Sequence, residues 1–142
     1  MEYQFRNKYS QADEVAATLR AALERAKAAE PMSQVMESLQ CYSALSCLAG
    51  AIYASVANQH DFDTAMITAV NHSGYSSAVA AITGSLLGAK MGYAALPDFY
   101  VESLEPVNAL CQLADDMVSG TPAKGLFDDD WDQKYVQGLP LL

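Results

Sequence analysis

The stretch NHSGYSSAVAAITGSLLGAKMG, residues 71–92, joins a short polar turn to a long segment of small residues. From its fifth residue onward it shows neither alternation nor proline, which predicts a helix over 75–92. Gly84, Gly88 and Gly92 are spaced four apart, and each costs a helix roughly 1 kcal/mol relative to alanine. Such a cost is tolerated where backbones approach closely, so the spacing predicts a close-packing face on this helix.

Glycines spaced four apart also pack transmembrane helices together, so a membrane helix is the alternative for residues 76–97. Lys90 carries the single charge in that range. The segment is rich in serine, threonine and alanine and poor in large aliphatic side chains, which makes insertion into a bilayer weakly favourable at best. A buried helix in a helical bundle is therefore the preferred interpretation.

Apolar side chains recur at helical spacing through most of the remaining chain. A helix is predicted over 11–29, with Ser10 and Asp13 resembling a capping box and Pro31 ending this helix or starting the next. A central helix is predicted over 44–56 because that segment is apolar around much of its circumference. The other predicted helices cover 32–39, 62–70 with Asp61 as its cap, and about 102–118.

The chain as a whole is expected to fold as one unit. No stretch alternates with the period of a strand, and no internal repeat or linker is present. The predicted fold class is all-α, a helical bundle formed by a single domain over residues 1–142. Its helical core is expected over 11–120, followed by an acidic, loop-like tail over 121–142.

Charge and cysteine content restrict the classes of function. Acidic residues outnumber basic residues by 17 to 8, and the formal charge is −9. Nucleic acid and anionic membrane surfaces are not expected partners, because no basic stripe is present to displace counterions. The lack of CxxC spacing and of an apolar signal-peptide core favours a reducing cytoplasm. Cys41, Cys47 and Cys111 are expected to be free thiols that act as small buried apolar groups.

Two long motifs occur in order, DFDTAMITAVNHSG at 61–74 and AAITGSLLGAKMGYAALP at 80–97. With LADDM at 113–117, they resemble the ADP-ribosylglycohydrolase family over roughly residues 42–117, and DWDQKY at 130–135 resembles the closing segment of some members. The resemblance implies an all-helical fold, of which this chain would represent the C-terminal half. It also implies kinship with dinuclear magnesium enzymes that remove ADP-ribose from modified proteins and related substrates.

The metal loop is where the chain departs from the family. The family pattern after the AVNHSG turn is G-D-S-D-[ST], and this chain has Gly74, Tyr75, Ser76, Ser77 and Ala78. Tyr75 and Ser77 replace the two aspartates, and Ala78 replaces the hydroxyl residue. Magnesium prefers carboxylate and other oxygen ligands in octahedral geometry, which a phenol, a neutral hydroxyl and a methyl group do not supply. Magnesium, the cofactor of the family, is therefore not expected here.

The resemblance places the remaining magnesium ligands in an N-terminal part of the family's chain, in a glycine-rich opening and a Thr-Asp-Asp type cluster. No such cluster precedes the loop in this sequence. The acidic runs at 115–116 and 128–130 follow the loop instead. Two-metal hydrolysis needs paired ions that activate water and clamp the reacting oxygens, so hydrolysis by this chain alone is not expected.

The histidine and serine side chains of the loop suggest other possible functions for it. A base and nucleophile could come from His72 and one of Ser73, Ser76 and Ser77, but no carboxylate that could orient the base lies nearby in sequence. We expect His72 to hydrogen-bond the loop backbone, and Ser76 or Ser77 to cap the following helix. His60 is expected to face solvent.

Acidic residues around Trp131 could form a weak calcium site or a docking site for a basic partner. They lack the glycine and the distal glutamate of an EF-hand loop. A solvated tail, held to the bundle by Trp131 and Tyr135, is the preferred interpretation. The residues concerned are Asp128, Asp129, Asp130 and Asp132.

The leading functional hypothesis is a non-catalytic structural or protein-interaction module, a truncated and degenerate relative (a pseudoenzyme) of these hydrolases. Half of a fold leaves helix faces uncovered, so a two-fold homodimer or another protein partner is expected. One alternative is a loop that binds ADP-ribose or ADP-ribosylated protein, with Tyr75 stacking on a base. Another is a split hydrolase completed by a separate chain. The loop residues concerned are Asn71, His72, Ser73, Gly74, Tyr75, Ser76 and Ser77.

Overall fold

The computed structural model describes residues 11–119, and every regular element in this part of the chain is helical. The all-α prediction is therefore confirmed. The helices are α1 (Ala12–Lys27), α2 (Met32–Leu39), α3 (Ala44–Ala57), α4 (Phe62–Val70), α5 (Ser76–Met91), α6 (Asp98–Val101) and α7 (Val107–Ser119), with a 3₁₀ turn at Tyr93–Ala95.

Two compact units make up the chain, Met1–Leu96 and Pro97–Leu142. The first unit contains α1 to α5 and the second contains α6 and α7. The expectation of a single domain stays a prediction. The expected cap at Ser10 and the expected acidic tail over 121–142 lie outside the described residues.

Helix α3 is the centre of the first unit, as its apolar circumference predicts. Seven of its fourteen residues are buried, and most of these are small, which lets neighbouring helices approach its backbone. It packs against α1, α2, α4 and α5. A capping box formed by Ser43 and Ser46 fixes where α3 begins. The buried residues are Cys47, Ala49, Gly50, Ala51, Tyr53, Ala54 and Ser55.

The connection from α1 to α2 is held by charged and polar contacts. Arg25 donates two hydrogen bonds of 3.1 Å to Glu30 and one of 2.7 Å to Ser38 in α2. The buried Tyr53 hydroxyl donates to the Glu30 carbonyl at 3.2 Å. Burial is the largest cause of the raised pKa of Tyr53; the positive charge of Arg25 acts to lower this pKa, and the negative charge of Glu30 acts to raise it. These contacts fix the end of α1 over the central helix.

Asp61 caps α4 as predicted. Its carboxylate accepts hydrogen bonds from the Thr64 backbone N–H at 3.0 Å and from the Thr64 hydroxyl at 2.7 Å. These bonds, with the backbone bond the largest cause, lower the pKa of Asp61. The contact sets the first turn of the helix that leads to the candidate loop.

The prediction that the glycines of α5 form a close-packing face is wrong. A Cβ atom at Gly84 would meet only the Met66 sulfur at 3.9 Å, and one at Gly88 would meet nothing within 4 Å. Gly92 has φ +80°, so it ends the helix through its backbone freedom. The buried residues of α5 are Val79, Thr83 and Leu87. The four-residue spacing therefore follows the helical repeat on a face that is largely open.

The glycines that do permit close approach are Gly50 and Gly74. A Cβ atom at Gly50 would lie 2.7 Å from the Cys41 sulfur, and one at Gly74 would lie 2.7 Å from the Cys41 carbonyl oxygen. Gly50 in α3 and Gly74 in the α4–α5 loop therefore both lie against Cys41. The two glycines with the closest neighbours thus both lie against the segment that joins α2 to α3.

The helix predicted over about 102–118 begins later, at Val107. Pro106 has no N–H to donate within a helix, and its ring disfavours helical backbone at Glu105. Residues 102–106 form turns, and the short helix α6, which the sequence did not predict, precedes them. None of the α7 side chains is buried.

Alanine substitutions at Gly88 and Gly50 should have opposite effects on stability. Gly88→Ala should raise the free energy of unfolding by about 1 kcal/mol, because a helical alanine replaces a glycine with open space around it. Gly50→Ala should lower it by about 1–3 kcal/mol, because the new methyl group overlaps the Cys41 sulfur. Urea unfolding followed by far-UV circular dichroism measures both. Destabilisation of equal size in the two variants would contradict this description of the packing.

Candidate functional site

The candidate site is the loop from Asn71 to Tyr75, which joins α4 to α5 and lies against the α2–α3 link. The Tyr75 N–H donates to the Cys41 carbonyl at 2.9 Å. Gly74 lies so close to the link that a side chain there would overlap the backbone oxygens of Gln40 and Cys41. Asn71 caps the end of α4, since its side-chain amide donates to the Ile67 carbonyl at 2.8 Å.

The α2–α3 link has an unusual backbone conformation. Gln40 has φ +60° and Cys41 has φ +46°, so two consecutive non-glycine residues lie in the left-handed region. Each such residue costs about 1–2 kcal/mol. The Cys41 carbonyl also accepts a hydrogen bond from the Cys47 thiol at 3.1 Å. The strained turn is therefore held from one side by α3 and from the other by the loop.

Ser73 uses all of its polar groups within the protein. Its backbone N–H donates to Glu37 Oε1 at 3.0 Å, and its hydroxyl lies 2.9 Å from Oε2 and 3.0 Å from Oε1. The Tyr42 hydroxyl donates to the Ser73 carbonyl at 2.6 Å. A hydroxyl paired with a carboxylate rather than with His72 does not form the nucleophile and base of a catalytic triad.

His72 contacts the loop backbone through both ring nitrogens, as the sequence predicts. Nδ1 accepts a hydrogen bond from the Gly74 N–H at 3.0 Å. Because that N–H can only donate, the ring proton is on Nε2, which lies 3.0 Å from the Ala69 carbonyl and donates to it. Neither nitrogen is left to take a proton from a substrate.

Tyr75, Ser77 and Ala78, where the sequence resemblance places the family's metal ligands, lie at the start of α5. Tyr75 is the N-cap residue, and it makes no side-chain capping bond. The expectation that Ser76 or Ser77 caps this helix is therefore wrong, because the helix already begins at Ser76. Ser77 and Ala78 are exposed. These positions present a phenol, a hydroxyl and a methyl group.

These groups do not fit magnesium. Among residues 11–119, no group of three or more histidine, cysteine, aspartate or glutamate side chains could hold a metal ion. Glu37 is the carboxylate that contacts the loop, and it accepts hydrogen bonds from Ser73. A hard cation needs several oxygen ligands with negative charge, and the loop supplies a neutral set. The acidic run at 128–130 lies outside the described residues.

Tyr42 and Tyr75 form an exposed aromatic pair beside the loop. Their rings meet edge to face, with centroids 5.6 Å apart and an interplanar angle of 84°. Tyr42 is 54% exposed and Tyr75 is 58% exposed, although the Tyr42 hydroxyl bond to Ser73 holds the first ring in place. The pair offers a fixed aromatic surface to a molecule in solution.

Cys41 and Cys47 are buried free thiols, as predicted, and Cys111 is half-buried in α7. Burial, with smaller contributions from Cys47 and Glu37, raises the pKa of Cys41 to about 11. Thiol reactivity requires the thiolate, so Cys41 is unreactive near neutral pH. Among the other predicted residues, His60 is exposed, in agreement with the sequence.

Three residues that shape the site had no signal in the sequence. Glu37 and Tyr42 are exposed polar and aromatic residues that lie 36 and 31 positions from Ser73. Cys41 was identified as a core thiol, but its carbonyl forms the contact with the loop. The proline-free, glycine-free run from Glu37 to Leu48 gave no sign of a left-handed turn.

A sequence model of the family described as ADP-ribosylglycohydrolase matches residues 3–126, which is most of the chain. The match extends beyond residues 42–117, over which the sequence motifs carry the resemblance. Comparison with curated proteins and with solved structures finds no match. Within residues 11–119, none of the helices combines the length and the hydropathy that a membrane crossing requires.

The raised pKa of Cys41 should appear as a pH dependence of stability. The folded thiol holds its proton more tightly than the unfolded thiol, so its contribution is complete below about pH 9 and is lost as pH rises towards about 11. The free energy of unfolding should therefore fall across this window. In Cys41→Ala the fall should be smaller, and in the control variant Cys111→Ala it should be unchanged. An identical fall in the wild type and Cys41→Ala, measured by urea unfolding, would contradict the assignment.

Proposed function

This chain belongs to the ADP-ribosylglycohydrolase family, and we propose that within it the protein is a non-catalytic structural or protein-interaction module. The observation that carries the proposal is the chemistry of the loop. The positions that correspond to the family's metal ligands hold Tyr75, Ser77 and Ala78. The polar groups next to them, on His72 and Ser73, are hydrogen-bonded to the protein itself.

The same loop is kept as a well-defined structure. The Tyr75 N–H donates a hydrogen bond to the Cys41 carbonyl, and Gly74 is packed too tightly for any side chain. In this proposal the loop is the scaffold of the family's metal loop, with different side chains at the ligand positions. This combination supports a role that depends on the shape of the module rather than on magnesium chemistry.

The full-length chain should not release ADP-ribose from an ADP-ribosylated protein in a magnesium-dependent manner. Two-metal hydrolysis needs ligands for both ions, and the loop supplies none of the expected carboxylates. Release of ADP-ribose is measured by chromatography with and without millimolar magnesium. Magnesium-dependent release that is abolished in Ser77→Ala would overturn the proposal.

We further propose that the module associates with a second copy through the faces of α2 and α4. Met32, Ile67 and Val70 are exposed there, at 39%, 58% and 45% respectively. Between the two helices lies a groove of about 210 Å³, lined by seven residues without a charged side chain. In a chain with a formal charge of −9, a neutral apolar surface is where like-charge repulsion opposes association least.

Ile67→Glu should convert a dimer into a monomer, because it places a charge in the lining of the groove between α2 and α4. Val15→Glu makes the same change at an exposed position of α1, 37% accessible, and should leave the dimer intact. Size-exclusion chromatography with light scattering at micromolar concentration distinguishes the two states. A monomeric wild type, or equal behaviour of the two variants, would contradict self-association through α2 and α4.

A second candidate function is binding of ADP-ribose, free or attached to a protein. The exposed pair of Tyr42 and Tyr75 supports it, because aromatic side chains stack on bases with about 1–3 kcal/mol per base. Calorimetry with millimolar ADP-ribose should then show heat that Tyr75→Ala removes. Tyr93→Ala alters a tyrosine of equal exposure, 58%, and should leave the heat unchanged. Absence of heat with the wild type would end this candidate.

A further inference from the structure

His72 connects the end of α4 to the part of the loop that lies on the α2–α3 link. Its Nε2 donates to Ala69, and its Nδ1 accepts from the Gly74 N–H, each at 3.0 Å. Both contacts require a neutral ring with one proton. Histidine side chains change charge between about pH 5 and about pH 8, so the charge of the ring connects these two contacts to pH.

We propose that His72 is a pH-sensitive latch, whose protonation at Nδ1 releases Gly74 and Tyr75 from the α2–α3 link. A proton on Nδ1 would point at the Gly74 N–H, so that two donors face each other where one hydrogen bond was. The acceptor is lost and the two N–H dipoles repel. Either the ring or the Gly74 peptide must move.

The packing around the loop makes the movement of Gly74 consequential. Gly74 lies against the backbone oxygens of Gln40 and Cys41, so it has no space to move further into the link. Movement away from the link breaks the bond from Tyr75 N–H to the Cys41 carbonyl. It also separates Tyr75 from Tyr42, whose hydroxyl stays bound to Ser73.

The other titratable groups around the loop do not change charge in the same way. The link contributes Cys41, whose thiol keeps its proton, and the phenol of Tyr42; the loop contributes the phenol of Tyr75. Residues 64–89 cover most of α4, the loop and most of α5. The ionisable side chains in this range are His72 and Tyr75.

Helix α2 contributes Glu37, whose carboxylate accepts hydrogen bonds from Ser73. Through these hydrogen bonds to Ser73, Glu37 keeps the first half of the loop in place. The released part is therefore restricted to Gly74 and Tyr75.

Amide hydrogen exchange by NMR on the full-length chain tests the latch at about pH 7.5 and about pH 5.5, on either side of the range in which histidine titrates. After correction for intrinsic exchange, protection of the Gly74 and Tyr75 amides should fall about tenfold at the lower pH, as expected for the loss of one hydrogen bond. Protection of Ala51 in the buried centre of α3 should stay constant, which separates local release from global unfolding.

Two histidine variants complete the experiment. His72→Asn keeps a carbonyl acceptor for the Gly74 N–H but does not titrate, so protection of Gly74 and Tyr75 should be the same at both pH values. His60→Asn removes the exposed histidine and should behave as the wild type does. Equal protection of the wild-type loop at both pH values, or a fall that persists in His72→Asn, would overturn the proposal.

Discussion

The approach of Gly74 to the backbone of Gln40 and Cys41 is the contact on which the rest of the candidate site depends. It brings the Tyr75 N–H to the Cys41 carbonyl, and it occurs where a two-residue left-handed turn has already been formed. Gly50 leaves room for the Cys41 sulfur on the opposite side. Cys41 is thus enclosed between two glycines, one from α3 and one from the loop, and its strained conformation is stabilised by both.

The side chains that hold the loop and the side chains that the loop presents belong to different residues. Glu37, Tyr42 and His72 hold the loop by hydrogen bonds to its backbone or to Ser73. Tyr75, Ser77 and Ala78 stand at the positions of the family's metal ligands. Because no holding contact needs a carboxylate at these positions, their chemistry can differ from that of the family while the local structure is kept. Under the proposal of a non-catalytic module, this separation explains how the sequence around the loop stays recognisable.

Much of the fold could be predicted from the sequence, because helices formed by amphipathic or uniformly apolar segments are local features. The central position of α3, the Asp61 cap and the backbone role of His72 all followed from residues close to one another in the chain. The glycines of α5 were misread, since spacing alone does not reveal whether a neighbour occupies the space beside Gly88. Glu37 and Tyr42 were missed for the same reason. Their partner, Ser73, lies more than thirty residues away, and nothing in a solvent-facing glutamate or tyrosine indicates a distant contact.

The central claim is that the loop is a closed structural element rather than a magnesium site. A crystal structure of the full-length chain grown in millimolar magnesium near neutral pH tests it most directly. The account predicts that Ser73 stays hydrogen-bonded to Glu37 and that the Tyr75 N–H stays hydrogen-bonded to the Cys41 carbonyl. It also predicts that no ion lies within a ligand distance of about 2.1 Å from Tyr75 or Ser77. An octahedrally coordinated ion on the loop, with either of these contacts broken, would contradict it.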